Sequence, residues 1–387
     1  MSAPKRLLTI GHSYVVAANR RLAHEMALAG GGEWEVTAVA PERFPGDLRQ
    51  ITLEPIEGEA CRTIGVPVSF ARIPHLMRYG RRLANLIRRQ RWDVIHCWQE
   101  PYVISAVQVA RAAADDAALV YATFQNLPKR YPLPFSRFER DSLRRADGWI
   151  AFGHTVEETL AGRPGYRSRP HAVIPPGTDL ERFRPDPGAR RRVRQLLGWV
   201  GDGPPVIGYL GRFVEPKGIG VLTAALAKTS VPWRALLVGG GAREDELAAW
   251  AGSSGGAARI VTDVPHDQVP DYLNAMDVLV APSLTTPRWR EQFGRMLTEA
   301  MACGVPVIGS DSGEIPHVIG DAGLVTPEGD VERLAAALEA LVASPERRAE
   351  LARRGRARVE AEFSLPHVAR RHLDFFDQVL AHKREEG

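Results

Sequence analysis

Glu291-Gln292-Phe293-Gly294-Arg295-Met296-Leu297-Thr298-Glu299-Ala300-Met301-Ala302-Cys303-Gly304-Val305-Pro306-Val307-Ile308 places an acid in a loop, then a glycine, then a helix bearing a second acid, then a Gly-Val-Pro turn into an apolar strand. Eight helical steps from Glu291 to Glu299 rotate by about 80° and advance about 12 Å, so both acids face one ligand only if Glu291 precedes the helix. Gly294 permits that entry. The unpaired amides at the helix start then suit a phosphate or sugar oxygen, and an extended ligand fits better than a compact one. Taken singly, each acid has a plainer reading. Glu299 stands four residues after Arg295, as an ordinary surface ion pair would, and Glu291 could be a solvated loop residue.

The helix-then-strand rhythm extends outward from this stretch. Upstream to residue 206 and downstream to 342, Val206–Leu210, Ala235–Val238, Arg259–Thr262, Val278–Ala281, Pro306–Gly309 and Gly323–Val325 read as strands. Gly220–Ala227, Glu244–Ala251, Val269–Asn274, Gly294–Cys303 and Val331–Val342 read as their partner helices. The first half repeats the pattern. Its strands are Leu7–Ile10, Glu35–Val39, Val94–Cys97, Leu119–Phe124, Trp149–Phe152 and Ala172–Ile174, with helices at Arg21–Leu28, Ile73–Arg89, Val103–Ala114 and Thr155–Leu160. Such alternation predicts an α/β protein of two doubly wound parallel sheets. The turn-rich Ile174-Pro175-Pro176-Gly177-Thr178-Asp179 marks the boundary, giving domains at 1–176 and 177–362. A final amphipathic helix, Ser364–His382, lies in the segment 363–387. Ligands of open parallel sheets sit beyond the carboxyl ends of the strands, so two facing sheets would hold theirs in the cleft between them.

Composition narrows the class. At 387 residues, 44% apolar and 25% charged, the chain has the make-up of an ordinary globular protein, which excludes disordered, collagenous and disulfide-scaffold classes. Cys61, Cys97 and Cys303 lie far apart and form no C-x-x-C pair, which suggests a reducing, cytoplasmic home. Lys5 and Arg6 before an apolar run imitate a signal peptide, but Gly11, His12 and Ser13 interrupt that run, which fits a first strand better. The net charge of +4 is uneven: residues 1–176 hold 24 Lys/Arg against 17 Asp/Glu, and the remainder 26 against 29. Arg78, Arg81, Arg82, Arg88, Arg89 and Arg91 crowd one segment, 78–91, which reads as a basic amphipathic helix. It is a solvated face, a peripheral contact with an anionic inner-membrane surface, or a contact with an acidic acceptor. Nucleic acid is not an expected partner, because zinc spacing, helix-turn-helix punctuation and ribonucleoprotein patterns are missing.

The segment Glu291–Val325 resembles the signature of the retaining family 4 glycosyltransferases, its two glutamates standing at the E-x7-E spacing of that family. Gly211-Arg212-Phe213-Val214-Glu215-Pro216-Lys217-Gly218 is similar to the family's G-R-[LF]-x-x-x-K-G, and Ile174–Asp179 to its I-P-N-G-V-D. The resemblance implies the GT-B fold: two facing Rossmann-like domains, a cleft, and a C-terminal helix crossing back to the N-terminal domain. It also implies transfer of a hexose from a nucleoside-diphosphate sugar, by family habit a UDP sugar, with retention of configuration. The N-terminal domain would bind the acceptor and the C-terminal domain the donor.

The residue types suit that chemistry. Departure of a diphosphate from an oxocarbenium-like sugar develops negative charge, which preorganised cations stabilise. Arg212 offers a planar fork to phosphate oxygens and Lys217 a mobile point charge. By resemblance Arg212, Lys217 and Glu291 form the catalytic set, Glu291 holding a sugar hydroxyl and Glu299 the ribose hydroxyls. Gly211, Phe293, Gly294 and Arg295 complete the donor side, Phe293 and Gly294 through their backbones.

The N-terminal domain would add Gln125, His12 and His154. Gln125 of Thr123-Phe124-Gln125-Asn126 stands where family members often place a histidine. It is no base, but the family's front-face mechanism needs none, because the donor phosphate takes the acceptor proton. His12 follows the first strand, and His154 follows Phe152 near the expected cleft, whereas His96 sits within a strand and reads as packed. The loops Lys129–Phe138 and Thr285–Arg290, the latter with Trp289, could shape the pockets. No D-x-D cluster or His/Cys ligand spacing occurs, so neither a metal nor a cofactor is expected, and no P-loop motif is present. Two other readings remain open: a nucleotide-sugar 2-epimerase of the same fold, and a non-catalytic sugar-nucleotide-binding module. The acceptor is left as a small molecule, a lipid or a saccharide.

Overall fold

In a computed structural model, residues 3–45, 50–199, 201 and 203–386 are described. The β-branched runs form the strands β1 (Lys5–Gly11), β2 (Trp34–Pro41), β3 (Arg62–Val66), β4 (Val94–Trp98), β5 (Ala118–Thr123), β6 (Gly148–Ala151) and β7 (His171–Val173). They continue with β8 (Val206–Arg212), β9 (Arg234–Gly240), β10 (Ala258–Val261), β11 (Val278–Ala281), β12 (Val307–Ser310) and β13 (Leu324–Thr326). The helices are α1 (Ala17–Ala29), α2 (Arg81–Arg89), α3 (Ile104–Ala112), α4 (Phe135–Arg145), α5 (His154–Ala161), α6 (Pro187–Leu196) and α7 (Ile219–Lys228). They continue with α8 (Glu244–Ser253), α9 (Val269–Asn274), α10 (Arg295–Ala302), α11 (Ile315–Ile319), α12 (Val331–Val342), α13 (Pro345–Arg358) and α14 (Leu365–Glu386).

Two compact units result, Met1–Gly177 with Leu365–Gly387, and Thr178–Ser364. The first is built on a seven-stranded sheet of order β7-β6-β5-β4-β1-β2-β3, the second on a six-stranded sheet of order β10-β9-β8-β11-β12-β13. Every ladder in both sheets is parallel. Strands covered on both faces must be apolar on both, and alternate residues divide between two cores. In β1, Leu8 and Ile10 pack with Leu83, Ile87 and Val109 under α2 and α3. Leu7, on the other face, packs with Met26 of α1 and Phe376 of α14. In the second unit Ile207 and Tyr209 face Leu222 of α7 and Leu338 of α12, whereas Val206 joins Leu297 and Met301 of α10. Helix α14 belongs to the first unit, with Val368, Leu373, Phe376 and Leu380 buried there. Cys61, Cys97 and Cys303 are buried free thiols.

The structure differs from the sequence reading at definite places. The helix expected at Ile73–Arg89 is confined to Arg81–Arg89. Val68–Ser69 instead pairs antiparallel with Arg78–Tyr79 around a 3-10 turn at Pro74–Leu76. Pro67, Pro74 and Gly80 break the helical pattern there. The basic segment 78–91 is therefore not one helix, and Leu83 and Ile87 of α2 are buried in the core rather than turned outward. Strand β3 and helices α4, α6, α11 and α13 were not anticipated. RTIGV has a single fully buried residue, and α4, α6 and α13 are rich in arginine with two buried residues apiece, so their apolar periodicity is weak.

Candidate active site

Within the second sheet, strand order reverses between β8 and β11, and the residues expected to bind a donor gather at the carboxyl ends of these neighbours. Beyond β8 the chain makes a 3-10 turn, Glu215–Lys217, closed by Gly218 at φ +66°. A Cβ on Gly218 would lie 1.7 Å from the Pro282 carbonyl oxygen, so the loops after β8 and β11 touch only because this position is glycine. That approach brings Lys217 to Glu291: Lys217 Nζ donates to Glu291 Oε2 at 2.6 Å, and Ser283 Oγ donates to the same oxygen at 2.9 Å. Both side chains are largely withdrawn from water, at 13% and 8% exposure. The Trp289 indole covers the ammonium, its ring centre 4.9 Å from Nζ. Arg212, the last residue of β8, is exposed and forms no ion pair among the described residues. One cation is thus held by a carboxylate and one is open to an incoming anion.

Gly294, at φ +83°, caps α10, so Glu291 does lie before the helix and Glu299 within it. Phe293 points into the core against Phe363, which leaves its backbone as the part able to meet a ligand. Glu299 is buried, and that burial raises its carboxyl above the usual range against the opposing pull of Arg295 and Arg182. Arg295 Nε lies 3.8 Å from Glu299 Oε1. Arg182 was not singled out from sequence; it reaches Glu299 from the segment before α6, where nothing in the surrounding Pro/Arg pattern distinguishes it, and also bonds His266.

In the first unit the order reverses between β1 and β4. His12 opens the turn after β1, Gln125 follows β5 and His154 follows β6, so all three stand at the carboxyl edge of the sheet. His12 is half-buried beside the Phe44 ring, 5.5 Å between centres, and burial lowers its pKa. Its turn is fixed from below by the buried Arg20, whose Nη1 donates to Tyr14 O at 2.6 Å and whose Nε donates to Glu59 Oε1 at 2.6 Å. Gln125 Nε2 donates to Leu127 O at 2.7 Å. His154 is exposed at the first position of α5. His96 is fully buried with Nδ1 3.0 Å from Thr9 Oγ1, a packed residue as its strand position indicated. One carboxylate of this edge escaped the sequence reading, Glu100 after β4, whose Oε1 accepts from Phe124 N at 2.7 Å.

Two doubly wound units, each with its polar residues beyond the carboxyl ends of its strands, define the GT-B class of architecture. Comparison with known proteins agrees. Residues 16–182 match the family described as "Glycosyltransferase Family 4", and residues 199–358 that described as "Glycosyl transferases group 1". A D-inositol 3-phosphate glycosyltransferase from Xylanimonas cellulosilytica is 30% identical over 349 residues, covering 87% of this chain and 78% of that protein. A 2-deoxystreptamine glucosyltransferase from Streptomyces kanamyceticus is 29% identical over 253 residues, 64% of either chain. A GDP-mannose-dependent alpha-(1-6)-phosphatidylinositol monomannoside mannosyltransferase from Mycolicibacterium smegmatis is 37% identical over 192 residues, 47% of this chain. The match spans 64% and 50% of the last two relatives' own lengths. Among solved structures, sucrose-phosphate synthase from Thermosynechococcus elongatus superposes with a TM-score of 0.74 at 22% identity, covering 98% of this chain and 100% of that one. Anabaena Alr3699/HepE in complex with UDP does so at 0.73 and 19%, covering 97% and 100%. The chain belongs to the family 4 glycosyltransferases.

Proposed function

We propose that this protein transfers a hexose from a nucleoside-diphosphate sugar, most naturally a UDP sugar, to a hydroxyl acceptor, with retention of configuration and without a metal. The observation that supports it most is the join of Lys217, Glu291 and Ser283 beside the open Arg212 at the switch point of the second sheet. A donor diphosphate entering there competes with Glu291 for the Lys217 ammonium and takes Arg212 as its second cation. Glu291, so released, accepts from a hydroxyl of the sugar, and Glu299 accepts from the ribose. The anomeric C–O bond then breaks with its electron pair left on the β-phosphate oxygen. The acceptor oxygen bonds to the anomeric carbon on the same face, and its proton passes to that phosphate oxygen. Lys217 and Arg212 stabilise the charge as it develops.

Incubation with a panel of UDP, GDP and ADP sugars, with and without EDTA, tests the reading. Released nucleoside diphosphate from one donor, undiminished by EDTA, is expected, and NMR of the product fixes the anomer. Epimerised donor identifies a 2-epimerase instead, and binding without turnover a carrier module. That Alr3699/HepE was solved with UDP favours uridine, and the GDP-mannose named for one relative makes guanosine the second arm.

A peripheral contact with an anionic membrane is a second part of the proposal, relocated from the helix to the segments around it. No helix among the described residues is long and apolar enough to cross a membrane. The apolar face of α2 is buried, but Phe70, Ile73 and Leu133 are exposed at 65%, 44% and 79%. A ring contact between His75 and Phe135, 5.1 Å between centres, ties the first two to the third. Residues 60–92 carry eight arginines and no acid. Sedimentation with phosphatidylglycerol vesicles should be lost in Phe70→Ser/Leu133→Ser and lost in phosphatidylcholine; equal binding of that variant would remove the contact.

A further inference from the structure

Glu100 stands at the switch point of the first sheet, in the loop after β4, with its backbone oxygen accepting from Val103 N at 3.2 Å just before α3. Its side chain crosses to the neighbouring strand end. Oε1 accepts from Phe124 N at 2.7 Å, and the Gln125 amide also donates to the carboxylate. Among the described residues it forms no ion pair.

The groups around it come from four elements. Tyr102 precedes α3 and stacks on Tyr131, 4.0 Å between ring centres. Lys129 and Tyr131 lie in the loop that leaves β5, Glu139 on α4, and Arg163 just after α5, 3.4 Å from Glu139. Lys129 favours the Glu100 anion and Glu139 opposes it, but neither touches it, and burial is the larger effect: the carboxyl is pushed up to about 7. A carboxyl whose folded pKa is raised contributes stability in full below the ordinary carboxylate range, and that stability is lost as pH rises through about 7. The fold therefore becomes less stable by ionising Glu100 at neutral pH, and a glutamine or apolar residue would have spared it that cost. Ionisable groups whose pKa is strongly shifted by desolvation concentrate at functional sites.

We propose that Glu100 is a positioning residue of the acceptor side: its carboxylate, by holding the backbone amides of Phe124 and Gln125, fixes the Gln125 segment at the carboxyl edge of the first sheet, where it meets the acceptor. The inference rests on the transferase reading. Gln125 cannot titrate, and the titratable group that holds its backbone amide is Glu100, one strand away. With the carboxylate ionised both amides have an acceptor. When it is protonated, one oxygen becomes a donor and the pair is no longer matched, so the segment starting at Gln125 loosens.

The test compares Glu100→Gln and Glu100→Ala with the native chain, using UDP-glucose as probe. UDP binding is followed by calorimetry, UDP-glucose turnover as UDP release from pH 5.5 to 8.5, and thermal unfolding at pH 5 and pH 8. Native turnover should rise through an inflection near pH 7. Glu100→Gln should lower kcat at pH 8 at least tenfold, leave KM within about twofold, and abolish the inflection, while melting higher than the native protein at pH 8 and close to it at pH 5. Glu100→Ala should lose turnover similarly. Native chain that neither binds nor turns over any UDP, GDP or ADP sugar overturns the transferase reading and the Glu100 role with it. UDP binding and turnover intact, with an unchanged pH profile in Glu100→Gln, overturns Glu100 alone. So does a variant that melts lower at both pH values, the mark of a purely structural anchor.

Discussion

Removing Lys217 should cost stability as well as turnover, because the structure makes it half of a largely buried pair rather than a surface cation. In Lys217→Ala, Glu291 keeps Ser283 as a hydrogen-bond donor but loses its counter-charge at 2.6 Å. Deleting one member of a buried pair costs about 3–5 kcal/mol, and the remaining Ser283 bond together with the 13% and 8% exposures places this case near the lower end, at about 3 kcal/mol. For a unit the size of residues 178–364, each kcal/mol moves the midpoint by about 2–4 °C, so the drop is roughly 6–12 °C. Turnover should fall by about 10²–10³, the usual loss of one preorganised stabilising group. The neutral double variant Lys217→Met/Glu291→Gln separates the two effects. It leaves no unpaired charge, so its midpoint should return most of the way, while turnover stays low. The assays are thermal unfolding and nucleoside-diphosphate release from the donor found in the panel. A midpoint within about 2 °C of native in Lys217→Ala, less than 1 kcal/mol, would refute the pair as a stabilising element. Native turnover in that variant would refute the role of the cation.

Three further outcomes follow from the geometry. Glu299→Gln should weaken UDP binding by about tenfold or more in calorimetry, since a charge-assisted bond of about 1.5–3 kcal/mol is lost, with little change in midpoint because Gln keeps the side-chain volume. Gly218→Ala should destabilise by more than about 2 kcal/mol, combining the left-handed penalty of a Cβ with its overlap on Pro282 O, and should reduce turnover by displacing Lys217. Acid should remove one support of the first unit. His96 and His372 are buried with ring centres 5.6 Å apart, and burial lowers both, His372 to about 4. A base with a lowered folded pKa stabilises above its unfolded value near 6.5, and that contribution drains as pH falls from there towards 4, about 3 kcal/mol for His372 alone. Glu100 acts in the opposite direction over the same window, so the loss is read by difference: the melting advantage of the native chain over His372→Phe should shrink as pH falls from 7.5 to 4.5.

The strands were legible because a sheet buried on both faces demands continuous apolar runs, which is a signal of composition and needs no partner to read. Amphipathic helices with a wide apolar stripe, such as α12 and α14, were legible for the same reason. What escaped depends on partners distant in sequence. Helix α13 buries little of its own and is carried by neighbours, with Gly355 packed against Met301 and Arg358 donating to Val318 O. The opposite error occurred at residues 73–80, where arginine and leucine spacing imitated a helix that Pro74 and Gly80 forbid. At the site, sequence named the residue types but not their pairing. Lys217 and Glu291 lie 74 residues apart, and only the adjacency of β8 and β11 in the sheet, with Gly218 against Pro282, turns two separate motifs into one ion pair. Glu100 and Arg182 went unseen because neither lies in a motif; each acquires meaning from what faces it, a pair of backbone amides in one case and Glu299 in the other. A doubly wound sheet makes such pairings predictable in kind, since loops following strands that flank the reversal are brought together whatever their separation in the chain. A lone acid or base just after such a strand is therefore a site candidate even without a motif, and Glu100, two residues past the end of β4, meets that criterion.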